Sequence, residues 1–237
     1  MLSVSLEGRI GPLSLAAGFD TSRGPVVVTG PNGSGKTSLL LMIHGVRKPE
    51  RGQVSIDGTP LFDAEKGVDL PVEARRIGYL PQSFGLFPHL TAAENVEFAL
   101  ACRVPPPPVT ARRERARELL AELGIEALAR LRPSALSAGE RQRVALARAV
   151  AAEPRALLLD EPFAALDIGT RRQVRVFLHE YLTRLRLPTV VVSHDAKDAQ
   201  AIGGTIAVLE AGRVVQTGAW NELSEKPASE FVRELTT

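Results

Sequence analysis

Short apolar runs that end on glycine, serine or an acid recur along the chain: VVVTG (26–30), ALLLD (156–160), TVVVS (189–193) and TIAVLE (205–210). Their hydrophobicity is continuous rather than alternating, which predicts strands covered on both faces. Stretches with helical spacing separate them, so the pattern predicts an α/β sandwich. The N-terminal region alternates instead. VSLEGRIGPLSLA and the Asp-Gly turn in SIDGTPLF predict additional antiparallel strands. From about Phe84 to Ala135 there is no strand pattern. There, Thr91 and Glu94 in TAAENVEFALA form a capping-box pattern, and TARRERARELLAELG predicts a helix capped by Thr110 and ended at Gly124. PPPP (105–108) reads as a stiff connector between the two. Arg112, Arg113, Arg115 and Arg117, interleaved with Glu114 and Glu118, read as a solvated helix face. The expected organisation is an α/β core over about 1–83 and 154–237 with an all-helical subdomain inserted over about 84–153.

Composition narrows the class. A chain of 237 residues buries a full core, and a net charge of +2 is too small to argue for nucleic acid. The single cysteine, Cys102, excludes an internal disulfide and suits a reducing cytoplasm. The N-terminus MLSVSLEGRI lacks the basic-then-apolar layout of a signal peptide. No apolar run approaches the roughly 18 residues that span a bilayer, so a membrane role is expected to come through a partner.

Gly30-Pro31-Asn32-Gly33-Ser34-Gly35-Lys36-Thr37 fits G-x-x-x-x-G-K-[ST] between a predicted strand and a predicted helix beginning near Ser38. The glycines let backbone N–H groups converge on phosphates, and the helix N-terminus adds partial positive charge. Lys36 is expected to reach the β- and γ-phosphates of a nucleotide, and Thr37 to ligate Mg²⁺. ALLLDE supplies Asp160 at a strand's carboxyl end as the second magnesium ligand, and Glu161 beside it as general base for the attacking water. His194 ends TVVVS in the same way and is placed to donate a ring N–H to the γ-phosphate.

A second helix entrance stands at LSAGE, Leu136 to Glu140. Ser137 and Glu140 make another capping box, and Gly139 reads as a residue that lets a ligand approach the backbone. Because this helix belongs to the inserted region, its expected ligand is the nucleotide of a second copy of the chain, turned head to tail.

The order of GPNGSGKT, LPQSFGLFPHLTAAENV, LSAGERQRVALARAV, LLLDEPFAALD and VVSHD resembles the ATP-binding subunits of ABC transporters over nearly the whole chain. That resemblance implies a P-loop NTPase core and an ATPase using ATP and Mg²⁺. It implies Gln82 as a glutamine near Mg²⁺ and the water, Leu136, Ser137, Ala138, Gly139 and Glu140 as the signature, and Asp167 as a residue crossing the dimer interface. It also implies a homodimer beneath two integral membrane permease subunits, a substrate-binding protein reached through them, and a peripheral position on the cytoplasmic face of the inner membrane. Two departures stand out: Ala138 and Glu140 replace a glycine and a glutamine, and residues 4–12 hold no aromatic to stack on adenine, which leaves Arg9 as the substitute. A soluble ABC-type ATPase acting on DNA or ribosomes, and a P-loop kinase, are the competing classes; the first lacks its coiled-coil or tandem-domain hallmark here, and the second leaves LSAGE unexplained. LFPHLTAAENV resembles bacterial importers. The stretch 58–90, with Asp63 to Gly67, Pro71, Glu73, Arg75 and Arg76, is similar to the ATPases of molybdate importers. The expected cargo is therefore molybdate or tungstate, with sulfate, phosphate, iron or polyamine as alternatives. Since the chain stops at Thr237, no oxyanion regulation through a C-terminal domain is expected.

Overall fold

The computed structural model describes residues 1–103, 105–164 and 166–237. The chain opens with the hairpin β1 (Leu2–Ile10) and β2 (Leu13–Asp20), then runs through β3 (Val26–Thr29) into α1 (Lys36–His44). The strands β4 (Arg51–Ile56), β5 (Thr59–Asp63) and β6 (Val68–Asp69) follow, then α2 (Val72–Arg75) and β7 (Ile77–Leu80). Next come α3 (Ala92–Ala101), α4 (Val109–Glu122), two short 3-10 turns and α5 (Ala138–Ala151). The chain returns to the sheet through β8 (Ala156–Asp160), α6 (Ile168–Leu185), β9 (Thr189–Val192), α7 (Ala196–Ile202), β10 (Thr205–Glu210) and β11 (Arg213–Gly218). It closes with α8 (Trp220–Glu225) and α9 (Glu230–Thr236).

Among the described residues the strands form one sheet ordered β6-β5-β4-β1-β2-β11-β10-β3-β9-β8-β7. Strands β10, β3, β9, β8 and β7 are mutually parallel, while β6, β5, β4, β1 and β2 pair antiparallel. The fold is α/β with antiparallel N-terminal strands. Asp57 and Gly58 form the β4–β5 turn, both at positive φ, as the twist of a two-residue hairpin requires.

The continuous apolar runs have a direct cause. Val26 and Val28 enter one core and Val27 the other; Leu158 opposes Leu157 and Leu159, and Val190 and Val192 oppose Val191. Alternate side chains leave on opposite faces, so a strand between two cores is apolar at every position. One core contains Leu39, Leu40, Met42 and Ile43 of α1 and Leu2, Val4 and Leu6 of β1. The other is continuous from the sheet through Val96, Leu120, Val144 and Leu178 of α3, α4, α5 and α6.

No strand lies between β7 and β8 among the described residues. Thr91 and Glu94 form a reciprocal capping box on α3. α4 departs from expectation: it starts at Val109 with Pro108 as its cap residue, so Thr110 lies inside the first turn. Pro108 already holds extended dihedrals (φ −53°, ψ 150°), which set the chain for a helix that starts before Thr110 without a side-chain cap. Gly124 follows the last turn at φ +68°, and Ile125 N–H reaches Leu120 C=O at 2.8 Å, closing the helix end. Arg115 bonds Glu118 and Glu122 at 2.9 and 3.1 Å on the exposed face.

Two charged positions in the stretch 58–90 turn out to serve the scaffold. Arg75 is buried, and its Nη1 donates to Met42 C=O (3.1 Å) and Ile43 C=O (2.8 Å) at the end of α1. A cation there adds a donor to the carbonyls of the last turn and offsets the helix dipole. Asp63 accepts from the N–H groups of Glu65 and Lys66, both at 3.1 Å, and shapes the turn into β6.

Candidate nucleotide site

β3, β8 and β9 are neighbours and parallel, so their carboxyl ends lie side by side, and each carries one part of the site. After β3 the loop turns at Gly30, where φ is +152° and a Cβ would stand 1.9 Å from Leu209 C=O, so no other residue fits. Gly35 precedes α1 in the left-handed region without a side-chain cap, leaving the first N–H groups of α1 aimed outward. Lys36 folds back over the loop and donates to Gly30 C=O (2.8 Å) and Pro31 C=O (2.9 Å). Burial pushes its ammonium pKa down, opposed by the charges of Glu161 and Asp160. Ser34 Oγ is buried with no partner among the described residues, an unmet polar group inside the loop. Pro31, Asn32, Gly33 and Thr37 are exposed and Ser38 half-buried, so the loop presents an open face. Outward N–H groups, an orphaned hydroxyl and a buried ammonium fit a polyphosphate.

Lys36→Ala is expected to weaken nucleotide binding by about 1.5–3 kcal/mol, the worth of a charged hydrogen bond. That corresponds to a loss of about ten- to a hundred-fold in Kd. Titration with a fluorescent ATP analogue reads it, and an unchanged Kd would remove Lys36 from phosphate binding.

At the end of β8, Asp160 is buried. It accepts from Thr37 Oγ1 (3.1 Å) and from the Tyr79 hydroxyl (3.2 Å). Burial raises its carboxyl pKa, with the two hydrogen bonds pulling the other way. Tyr79, itself desolvated and beside that carboxylate, is pushed well above the ordinary phenol range and stays a neutral donor. A hydroxyl and a carboxylate already in contact suit a hard cation with oxygen ligands. No cluster of three or more His, Cys, Asp or Glu that could hold a metal occurs among the described residues. Mg²⁺ fits such a sparse set, because it takes one or two protein ligands and completes its shell with water and phosphate oxygens. Thr37 and Asp160 are the residues that would hold it.

Glu161 follows at φ +48°, a strained conformation for a non-glycine residue, held by its N–H on Val192 C=O at 3.0 Å. His194 Nδ1 lies 2.9 Å from both Glu161 carboxylate oxygens. A carboxylate only accepts, so Nδ1 carries the proton. The ring is half exposed. With that proton committed to Glu161, a neutral His194 presents an acceptor at Nε2. Donation to a phosphate therefore requires a second ring proton or release from Glu161.

Gln82 lies exposed just beyond β7, the strand beside β8. Ser137 caps α5, its Oγ accepting from Glu140 N–H (3.3 Å) while Glu140 Oε2 accepts from Ser137 N–H (2.7 Å). This bond holds the Glu140 carboxyl below its usual range. Gly139 has a use within the chain besides the ligand approach expected from the sequence. A Cβ there would meet Thr170 Cγ2 of α6 at 3.0 Å, so the missing side chain makes room for the chain's own helix. Ala138 is half-buried against the same core, and Leu136 is buried in it. Asp167 is exposed and caps α6, accepting from Thr170 N–H at 3.1 Å. Arg9 is exposed on β1; the residues of that hairpin nearest Gly35 are Ile10, Leu13 and Leu15.

Three residues outside the sequence reading touch these parts. Tyr79 binds Asp160, and Arg148 of α5 donates to Phe84 C=O and Gly85 C=O just after Gln82. Asp198 binds Ser193 beside His194. The only signal for Tyr79 was its place one residue before the end of β7. Arg148 and Asp198 carry none, since their partners are set by packing.

A model of the ABC transporter family matches residues 18–164, more than half of the chain. The chain belongs to the ABC transporter family. With the phosphate loop, the acid pair and the histidine at adjacent strand ends, it is an ATPase domain of that family. It is 39% identical over 236 residues to the molybdenum import ATP-binding protein ModC of Paramagnetospirillum magneticum, covering 100% of this chain and 63% of that one. It is 44% identical over 216 residues to the Fe(3+) ions import ATP-binding protein FbpC of Pseudomonas fluorescens, covering 91% and 58%. The chain thus spans about six-tenths of the length of these ABC relatives. Among solved structures it resembles the ATP-binding cassette MJ0796, a dimer bound to ADP and Pi. The TM-score is 0.74 at 32% identity, covering 92% of this chain and 98% of that one.

Proposed function

We propose that the chain is the ATP-hydrolysing subunit of an importer, acting as a head-to-tail dimer against two membrane permease subunits, with molybdate or tungstate as cargo. The observation that carries the hydrolysis is the Glu161–His194 pair, set beside Lys36 and the Thr37–Asp160 contact at the ends of three adjacent strands. The loop and Lys36 bind the triphosphate, and Gln82 stands at the neighbouring strand end. Thr37 and Asp160, with Gln82 at the neighbouring strand end, would hold Mg²⁺, which when bound would neutralise charge on the phosphates. Glu161 takes the proton of the attacking water, and His194 keeps that carboxylate in place.

The dimer is supported by exposure: the loop around Gly33 and Thr37 and the cap at Ser137 are both open in one chain. A cleft of about 900 Å³ lies between Pro25, Arg155, His179 and Arg186, at the opposite ends of the parallel strands. In the proposed dimer a second copy closes the open nucleotide face. No helix among the described residues is long and apolar enough to cross a membrane, so the membrane path is assigned to the permease pair.

The cargo reading rests on the similarity of the stretch 58–90 to molybdate-importer ATPases and on the molybdenum-import relative that aligns over the whole chain. The higher identity to an iron-import relative favours ferric iron as the second reading. The test is uptake of labelled molybdate by cells with and without this chain, with iron, sulfate and phosphate measured alongside. Loss of molybdate uptake alone is expected; loss of another substrate with molybdate unchanged would overturn the cargo.

A further inference from the structure

His194 is one residue of a short segment whose two neighbours are both anchored. Before it, Ser193 donates its hydroxyl to Asp198 Oδ2 at 2.6 Å. After it, Asp195 caps α7 by accepting from Lys197 N–H (2.7 Å), and its other oxygen lies 3.3 Å from both Arg171 and Arg175. Asp198 is fully buried, and the same two arginines of α6 bond it: Arg171 Nη2 and Arg175 Nε, each at 2.6 Å. Two carboxylates and two guanidiniums balance in charge, and the hydroxyl fills a remaining acceptor site on Asp198. An ion cluster built on a buried carboxylate adds little net stability, because desolvation consumes most of the Coulomb gain. What it does supply is a fixed geometry. Helix α6 is a firm anchor for it, since its first turn also packs Thr170 against Gly139 of α5.

We infer that Asp198 is a positioning residue for ATP hydrolysis: through Ser193, and anchored by Arg171 and Arg175, it holds His194 against Glu161. This rests on the ATPase reading of that pair. Asp198 itself touches neither Glu161 nor the phosphate loop; it acts through the backbone of the segment that carries the imidazole. A histidine free to swing loses its 2.9 Å contact, and the catalytic carboxylate loses its orientation.

The test uses the full chain with saturating MgATP and the variants Ser193→Ala, Asp198→Asn and Asp198→Glu. Ser193→Ala is also combined with His194→Ala. Ser193→Ala and Asp198→Asn are expected to lower kcat by about ten- to a hundred-fold, the scale of an ångström-sized misplacement. The Kd for ATP stays unchanged, because the phosphate loop is not part of the cluster. Asp198→Glu, which keeps the charge, recovers part of the loss. In the His194→Ala background, Ser193→Ala has no further effect, since the residue it acts through is gone. Wild-type kcat in Ser193→Ala, a loss that multiplies with that of His194→Ala, or a parallel loss of ATP affinity would each overturn the proposal. If Asp198→Asn does not fold, the two Ser193→Ala measurements decide. Wild-type turnover in His194→Ala would strike the ATPase role of the pair instead, a result separable from failure of the Asp198 proposal.

Discussion

Glu161→Gln is expected to bind ATP as tightly as the wild type and to lose turnover by about a hundred- to ten-thousand-fold, the range contributed by a general base. The amide matches the carboxylate in shape, so the backbone at φ +48° and its N–H bond to Val192 are undisturbed. The amide oxygen still accepts from His194 Nδ1, now at one atom instead of two. What it cannot do is take a proton from water. Binding and chemistry therefore separate: the variant accumulates as an ATP-bound dimer, visible by gel filtration with MgATP. Wild-type phosphate release from this variant would remove Glu161 from the mechanism. Equal losses in Kd and kcat would show that it contributes to the fold of the site rather than to the chemistry.

The second large effect is expected from mixing two defective chains, one Lys36→Ala and the other Ser137→Arg. If the Ser137 helix entrance serves the partner's phosphate, both lesions in a mixed dimer fall in one site and the other site is wholly wild type. The mixture then regains ATP-driven dimerisation and turnover that neither variant shows alone. If the helix entrance served its own chain, each site would carry one lesion and mixing would restore nothing. Ser137→Arg also removes a helix cap, which costs about 1 kcal/mol, so its melting temperature belongs in the experiment. Gly139 is the wrong residue for this test. Its replacement would press on Thr170 of α6 and disturb packing within the chain, whatever it did at the interface.

The strands that carry the site were legible because a strand between two cores is apolar at every position, and β3, β8 and β9 are such strands. Their polar terminators, Gly30, Asp160 and Ser193–His194, mark where each run leaves the sheet. Capping boxes at Thr91 and Ser137 were legible for a related reason: each is a bond between residues three apart, settled within one turn. The start of α4 was not legible. Pro108 and Thr110 both signal a helix entrance, and the local pattern does not say which the chain uses.

Tertiary structure decided everything that depends on which distant segments meet. Thr37 touches Asp160 across 123 residues and Tyr79 touches Asp160 across 81, distances no periodicity encodes. The same holds for the meaning of single residues. Gly139 also makes room for Thr170 of α6, which the sequence does not show, and Arg75 reads as part of a cargo-related stretch until its guanidinium is found on the last carbonyls of α1. Asp198 carries no signal in the sequence, and its place is set by the two arginines and the serine that converge on it. By itself the sequence determined the local elements and the chemical identity of the phosphate loop and the acid pair, because turns, caps and strand patterning act over a few residues. The strand order that sets the loop, acids and histidine side by side, and the ion cluster around Asp198 behind the histidine, come from the path of the whole chain, where packing alone chooses the partners.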